Sequence, residues 1–237
     1  MVELGLGLLS IGRPWGVRPE PPPPEAAALE LLQKAVDLGI RFFDTAPAYG
    51  ASEAILGRFL RGGERAMFVA TKMGEAWDAA SGQSSVDHTY PALKRSVERS
   101  LELLGRIDLL QVHKASADNL HSRDVGRAIE YARDCGVRAF GASVADLPAA
   151  QVAAATGWCT YLQFPFSRSN TKLAPIFELA RERGLKVIVN RPLAMGQLSE
   201  AVADAYRFVR ARQFEGVVLT GTKSIAHLAH NHAAFHP

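Results

Sequence analysis

Eight short apolar runs alternate with eight segments of helical periodicity along this chain, and no other feature limits its fold so sharply. The runs begin near Gly5, Arg41, Met67, Asp108, Val137, Thr160, Lys186 and Gly216. Between and after them, apolar residues recur at helical spacing over 26–38, 53–60, 91–104, 124–135, 147–155, 173–183, 201–211 and 225–231. Three helical segments stop on a glycine that leads into the next run: Leu38-Gly39-Ile40, Cys135-Gly136-Val137 and Arg183-Gly184-Leu185. Glycine in that place supplies the left-handed residue that closes a helix. Strand and helix in regular alternation make parallel β/α units. Eight such units predict an α/β fold, a closed (β/α)8 TIM barrel rather than an open doubly wound sheet. No linker interrupts the pattern, so residues 1–237 are expected to form one domain. Gly5-Leu6-Gly7 has no third glycine opening a helix, which argues against a Rossmann dinucleotide fingerprint.

Three consecutive runs end on an ionisable residue: Arg41-Phe42-Phe43-Asp44, Met67-Phe68-Val69-Ala70-Thr71-Lys72 and Leu109-Leu110-Gln111-Val112-His113. A barrel carries its active site at the C-terminal ends of its strands. Asp44, Lys72 and His113 are then expected on one rim, from strands two, three and four. Tyr49 follows close behind in Thr45-Ala46-Pro47-Ala48-Tyr49-Gly50. Tyrosine is a poor acid and a poor base at neutral pH, and an ammonium nearby lowers the phenol's pKa. Lys72 would supply that charge, Asp44 would hold Lys72, and His113 would orient a substrate oxygen. Tyr49 becomes a proton donor or acceptor beside a polarised oxygen, which suits carbonyl reduction or alcohol oxidation. No side chain supplies hydride, so a nicotinamide cofactor is required. Each residue taken alone has a plainer explanation: a turn cap for Asp44, a solvated strand end for Lys72, a satisfied imidazole for His113, loop packing for Tyr49. Three successive strand ends make coincidence the weaker account.

The net charge of +3 comes from dispersed basic residues with no interleaved aromatic stripe. That argues against nucleic acid and loosely fits an anionic small molecule. Cys135 and Cys159 have no metal-ligand spacing and read as thiols in a reducing compartment. No run is long and apolar enough to cross a bilayer, and the start lacks the pattern of a signal peptide, so a cytoplasmic protein with no membrane contact is expected. Pro19-Glu20-Pro21-Pro22-Pro23-Pro24 reads as a stiff connector, with Glu25 in the first turn of the helix behind it.

The stretch from Gly39 to Gly50, followed by Glu53 and Leu56-Gly57, resembles the first signature of the aldo-keto reductases. Further matches fall in family order: Ala70-Thr71-Lys72, Asp108 to His113, Phe140-Gly141-Ala142-Ser143, Leu162-Gln163, Asn190 to Ala194 with Gly196-Gln197-Leu198, and Gly221-Thr222-Lys223-Ser224 with His227-Leu228 and Asn231. The resemblance implies that Asp44, Tyr49, Lys72 and His113 are a catalytic tetrad. It implies that Ser143 and Gln163 bond the nicotinamide carboxamide, and that Pro192, Leu193 and Gly196 line the pyrophosphate path. Arg191 would meet the phosphates, and Gly221, Thr222, Lys223 and Asn231 would form the adenosine end. A lysine at 223 favours a 2′-phosphate, hence NADP(H). Trp15, Trp77 and Phe166, each just beyond an expected strand, are the candidate substrate contacts.

The implied activity is NADP(H)-dependent reduction of an aldehyde or ketone, or the reverse, by a monomer acting on a small molecule. Two alternatives stand beside it: a non-catalytic NADP(H)-binding accessory or regulatory barrel, and a barrel enzyme using Lys72 as a Schiff base. The chain departs from the family in its brief loops after strands four and seven, which predict a shallow, open pocket. It departs also at Asn190, where many members place an aromatic, and at His230, where an acidic residue often reads the adenine.

Overall fold

The eight expected runs become eight parallel strands that close on themselves. The structure, a computed structural model, describes residues 2–16, 20–63, 66–198 and 201–236. In chain order the elements are β1 (Val2–Gly7), α1 (Leu9–Gly12), α2 (Glu25–Asp37), β2 (Phe42–Asp44), α3 (Ser52–Arg61), β3 (Phe68–Met73), β4 (Glu75–Asp78), β5 (Gln83–Val86) and α4 (Tyr90–Leu104). There follow β6 (Leu109–Ala115), α5 (Ala117–Leu120), α6 (Arg123–Asp134), β7 (Ala139–Val144), α7 (Leu147–Ala155), β8 (Tyr161–Pro165), α8 (Pro175–Arg183), β9 (Lys186–Asn190), α9 (Val202–Arg210), β10 (Gly216–Gly221) and α10 (Ile225–Phe235). The barrel order is β1-β10-β9-β8-β7-β6-β3-β2, and β4 and β5 form a separate two-stranded hairpin.

Strand periodicity fills the barrel in layers. Successive side chains point to opposite faces, so every second residue enters the interior. Phe42, Ala70, Leu109, Ile188, Val217 and Leu219 meet there as an apolar cluster, with Phe68 and Tyr161 packed against it. Two residues further along the same strands the interior turns polar: Phe42 gives way to Asp44, Ala70 to Lys72, Leu109 to Gln111 and Tyr161 to Gln163. The intervening residues, among them Phe43, Val69, Leu110 and Val112, belong to the larger core between strands and helices. Thr71 is one of these outward residues. Its hydroxyl donates to Glu53 of α3 at 2.6 Å, and Ser100 of α4 donates to the same oxygen at 2.8 Å.

The helices fall within two residues of their expected segments, except that α10 runs on to Phe235. Phe235 is buried against the Tyr206 ring with centroids 5.4 Å apart, and this contact anchors the last turn. The glycines at 39, 136 and 184 do take positive φ. Three elements were not legible: α1, the β4–β5 hairpin and α5. The first and last are four residues each, and every residue of β5 is exposed, so none leaves a hydrophobic period. Of the proline-rich segment, Glu20 to Pro24 is described and leads directly into α2; residue 19 lies outside the described residues. Among the described residues no helix is long and apolar enough to cross a membrane, and no cluster of three metal-ligating side chains occurs.

Candidate active site

Asp44 ends β2, in register with Gly7 and Ala70 on its neighbours, and Lys72 lies on β3 in register with Gln111. Both side chains therefore enter the polar layer above the apolar floor. Lys72 Nζ donates to both Asp44 oxygens, at 2.8 and 2.7 Å, and to the Thr45 carbonyl at 3.0 Å. Lys72 has no exposed surface and Asp44 almost none. Asp44 Oδ1 also accepts from the amides of Gln111 at 3.1 Å and Gln163 at 3.0 Å. Three side chains thus direct four hydrogen bonds onto one nearly buried carboxylate. Burial works against the Lys72 ammonium, yet Asp44 and Tyr49 together hold its pKa above the usual lysine value. The amine is fixed in its charged form, which disfavours the Schiff-base alternative, since that chemistry needs a free amine.

Tyr49 sits on a 3₁₀ turn over Pro47–Tyr49 that carries the chain from β2 to α3. The turn is pinned by close backbone contact. A Cβ on Gly12 would lie 1.8 Å from the Tyr49 carbonyl oxygen, and only glycine lets α1 approach this closely. The Lys72 ammonium is 4.9 Å from the centre of the Tyr49 ring. Burial raises the phenol's pKa above 10, and the opposing pull of Lys72 does not cancel it. The sequence argument anticipated the lowering by Lys72; desolvation, invisible in sequence, outweighs it. Tyr49 is consequently an intact O–H donor at neutral pH.

His113 faces Tyr49 edge-on, with ring centroids 5.9 Å apart. Register between β6 and β7 shifts between Val112 and Ala115, and Lys114 takes φ +50, so a bulge re-aims the strand end where the imidazole projects. His88 Nε2 donates to the His113 carbonyl at 2.8 Å. Gly74, at φ +102, makes room for that ring, since a Cβ there would lie 2.5 Å from it. Glu75, at the start of the hairpin, comes within 3.0 Å of His113 Nδ1, out of line for a full hydrogen bond. Its other oxygen accepts from Ser84 at 2.8 Å and lies 3.9 Å from Lys114 Nζ. Burial, then Lys72 and Lys114, hold the His113 pKa well below the ordinary 6.5, so the ring is neutral at pH 7.

A cleft of about 890 Å³ opens above this group. Its wall includes Asp44, Tyr49, His113, Ser143, Arg191, Pro192, Leu193, Gly196, Gly221, Thr222, Lys223, Asn231 and Trp15. This volume lies toward the upper end for ligand cavities. Lys72 lies beneath it, closed off by the polar layer. Gln163 also lies beneath, with its amide committed to Asp44 rather than turned to the cleft. Trp77 is absent from the cleft wall and stands behind Arg13, whose guanidinium is 4.3 Å from its ring. Phe166 is fully buried in the outer core, stacked on Phe208 at 5.7 Å and edge-on to Phe177. As a substrate contact Phe166 is corrected: the chain after β8 turns its aromatic under the helices, away from the mouth. Asn231 is buried and donates to Thr220 at 2.8 Å, bracing α10 against β10. Lys223 is engaged: its ammonium is 2.6 Å from Glu20 and donates to the Pro21 carbonyl at 3.1 Å. Ser224 caps α10, accepting from the His227 N–H at 3.3 Å.

Sequence reasoning missed Gln111, Glu75 and Arg13. Gln111 stands two residues before His113, and that spacing alone places it in the barrel interior. Glu75 and Arg13 lie on the hairpin and beyond α1, elements without a period to reveal them.

The structure is thus a closed parallel barrel whose mouth gathers a buried lysine–carboxylate pair, a protonated tyrosine and a neutral histidine. The sequence model of the Aldo/keto reductase family matches residues 3–210. A Pseudomonas aeruginosa protein, PA4992, assigned to the aldo-keto reductases, superposes with a TM-score of 0.85 at 31% identity, over 98% of this chain and 88% of that one. The oxidoreductase YqkF of Bacillus subtilis, itself uncharacterised, is 26% identical over 206 residues, 85% of this chain and 64% of its own. The Schizosaccharomyces pombe protein named aldo-keto reductase yakc [NADP(+)] is 26% identical over 208 residues, 84% of this chain and 60% of its own. The matched chain thus spans less than two thirds of these curated relatives. It belongs to the aldo/keto reductase family.

Proposed function

We propose that the protein reduces an aldehyde or ketone to the alcohol, or runs the reverse reaction, with NADP(H) as the hydride partner and Tyr49 as the general acid or base. The observation that carries this reading is the buried Lys72–Asp44 pair lying under Tyr49 and beside His113. A sensor or accessory barrel has no use for a desolvated charge pair beneath a protonated phenol.

The cleft residues fit a nicotinamide dinucleotide. The side-chain oxygen of Asn190 is buried on the cleft wall with no hydrogen-bond partner, an acceptor suited to an amide N–H. Ser143 lines the same space, as do Pro192, Leu193, Gly196, Thr222, Arg191 and Lys223. Bound there, the cofactor supplies the hydride that no side chain can.

The chain's own residues move the proton. Tyr49 gives its phenolic proton to the substrate oxygen, and the phenolate formed is met by the Lys72 ammonium. Asp44 keeps that ammonium charged and in place throughout the cycle. Glu75, acceptor-only when ionised, favours a proton on His113 Nδ1, so neutral His113 offers Nε2 to the hydroxyl of an alcohol. A proton gained at acid pH turns Nε2 into a donor towards a carbonyl, so reduction is favoured on the acid side. Tyr49→Phe keeps the ring and removes the proton. It is expected to lower kcat for NADPH-dependent reduction of a competent aldehyde by about 10²-fold or more, the usual worth of a positioned acid. Equal rates in the two proteins refute the assignment.

A further inference from the structure

Arg13 is a cation without an assigned task. It follows α1 directly and lines the cleft shared by Tyr49 and His113. Its backbone is fixed beside the catalytic turn, since a Cβ on Gly50 would lie 3.2 Å from the Arg13 Cβ. Among the described residues no carboxylate lies within 4 Å of its guanidinium. Glu75 is the acid whose field reaches it, and Glu75 is already engaged by Ser84, His113 and Lys114. Arg13 Nε has no exposed surface and no hydrogen-bond partner. Burial of an unpartnered N–H in a binding cleft is costly unless a ligand satisfies it.

The guanidinium also lies beside two indoles. Its carbon is 4.3 Å from the centre of the Trp77 ring and 5.6 Å from that of Trp15. Trp77 packs closest, and the guanidinium lines the cleft, where the edge formed by its terminal N–H groups can meet a planar acceptor. Such an edge matches a carboxylate, which takes two parallel N–H bonds from arginine. Three lysines near the mouth have acid partners, Lys72 in Asp44, Lys114 in Glu75 and Lys223 in Glu20, while Arg191, on the cleft wall against Trp15, is the cation that would meet the cofactor's phosphates.

We propose that Arg13 is the receptor for a carboxylate carried by the substrate, so that the protein acts on carbonyl compounds bearing an acid group. Trp15 and Trp77 serve as the clamp that presents the guanidinium. The inference rests on the carbonyl-reductase reading of the same site and names its substrate class.

4-Formylbenzoate and its methyl ester offer the same aldehyde with and without the charge. Wild-type protein with NADPH is expected to prefer the acid by about 10-fold or more in kcat/KM, the range of one charged hydrogen-bond pair. Arg13→Met is expected to abolish most of that preference through KM for the acid, and Arg13→Lys to retain part of it. Binding of the product acid, 4-(hydroxymethyl)benzoate, followed by tryptophan emission, is expected to weaken in the same order while its methyl ester discriminates little between the three proteins. Thermal melts of each variant establish that it is folded. Turnover of both aldehydes with no acid preference in wild type, or a preference unchanged in folded Arg13→Met, overturns the proposal and leaves the reductase reading standing. Turnover of neither aldehyde, with arginine-dependent binding of the product acid, overturns the reductase reading and leaves the role of Arg13 standing.

Discussion

Lys72 and Asp44 show how much one residue can ask of its neighbour. With Asp44→Ala the ammonium keeps the Thr45 carbonyl and loses both carboxylate oxygens, in a place solvent does not reach. Stranding a buried charge costs about 3–5 kcal/mol, so the urea midpoint of Asp44→Ala is expected to fall accordingly, with the m-value unchanged. His113 contributes in the opposite chemical sense. Its folded pKa lies below the unfolded value near 6.5, so the unfolded chain binds the proton first as pH falls. The stability it confers is present above pH 6.5 and is lost below it, at up to about 1.4 kcal/mol per pH unit while the two states differ by one proton. Denaturation at pH 7.5 and 5.5 is expected to show a larger loss for wild type than for His113→Gln. That Asp44, Lys72 and His113 share one rim was legible because each ends an apolar run, and such an ending is visible in one dimension. Phe166 was misread for the complementary reason: an aromatic past a strand end looks the same whether it turns up to the mouth or down to the core.

At the scale of elements, the segment before α2 reaches the end of the cleft lined by Lys223, where the cofactor's nucleotide is proposed to lie. Glu20 pairs with Lys223, across the gap between the β1 and β10 loops, and Trp15 forms an isolated bridge with Glu20. In the proposed cofactor site, a 2′-phosphate at Lys223 would have to draw it away from that carboxylate. Glu20→Gln is therefore expected to tighten NADPH by about 3- to 10-fold at low ionic strength, with NADH little changed and the gain fading in salt, as for other exposed pairs. Fluorescence titration with both nucleotides checks it, and equal gains for both would refute the competition. The proline run announced a stiff connector, but its partner is about 200 residues away in sequence, beyond the reach of any local pattern. The hairpin illustrates the same limit. Its strands carry Glu75 to His113, yet Gln83-Ser84-Ser85-Val86 has nothing apolar on a buried face to mark it.

The whole molecule depends on closure. β1 pairs with β10 over six residues, from Val2↔Gly216 to Gly7↔Gly221, and with β2 over three. Deleting Val2–Gly7 would bare the edges of two strands and open the floor of the barrel, a combination that invites edge-to-edge pairing. Size-exclusion chromatography is expected to show aggregates, with near-ultraviolet circular dichroism lost. The eightfold repeat made the barrel legible before any contact was known, because each unit repeats one local signal and chirality fixes how units join. The sharing of its interior between two layers was not legible, since alternation tells which residues face inward and not what they meet there. That interior has a last consequence. Phe42, Leu109, Ile188, Val217 and Leu219, with Phe68 and Tyr161, fill the interior below the polar layer, so the cleft is not entered through the barrel from beneath. Where one guest comes to lie beneath another against that floor, the deeper of the two has to arrive first and depart last.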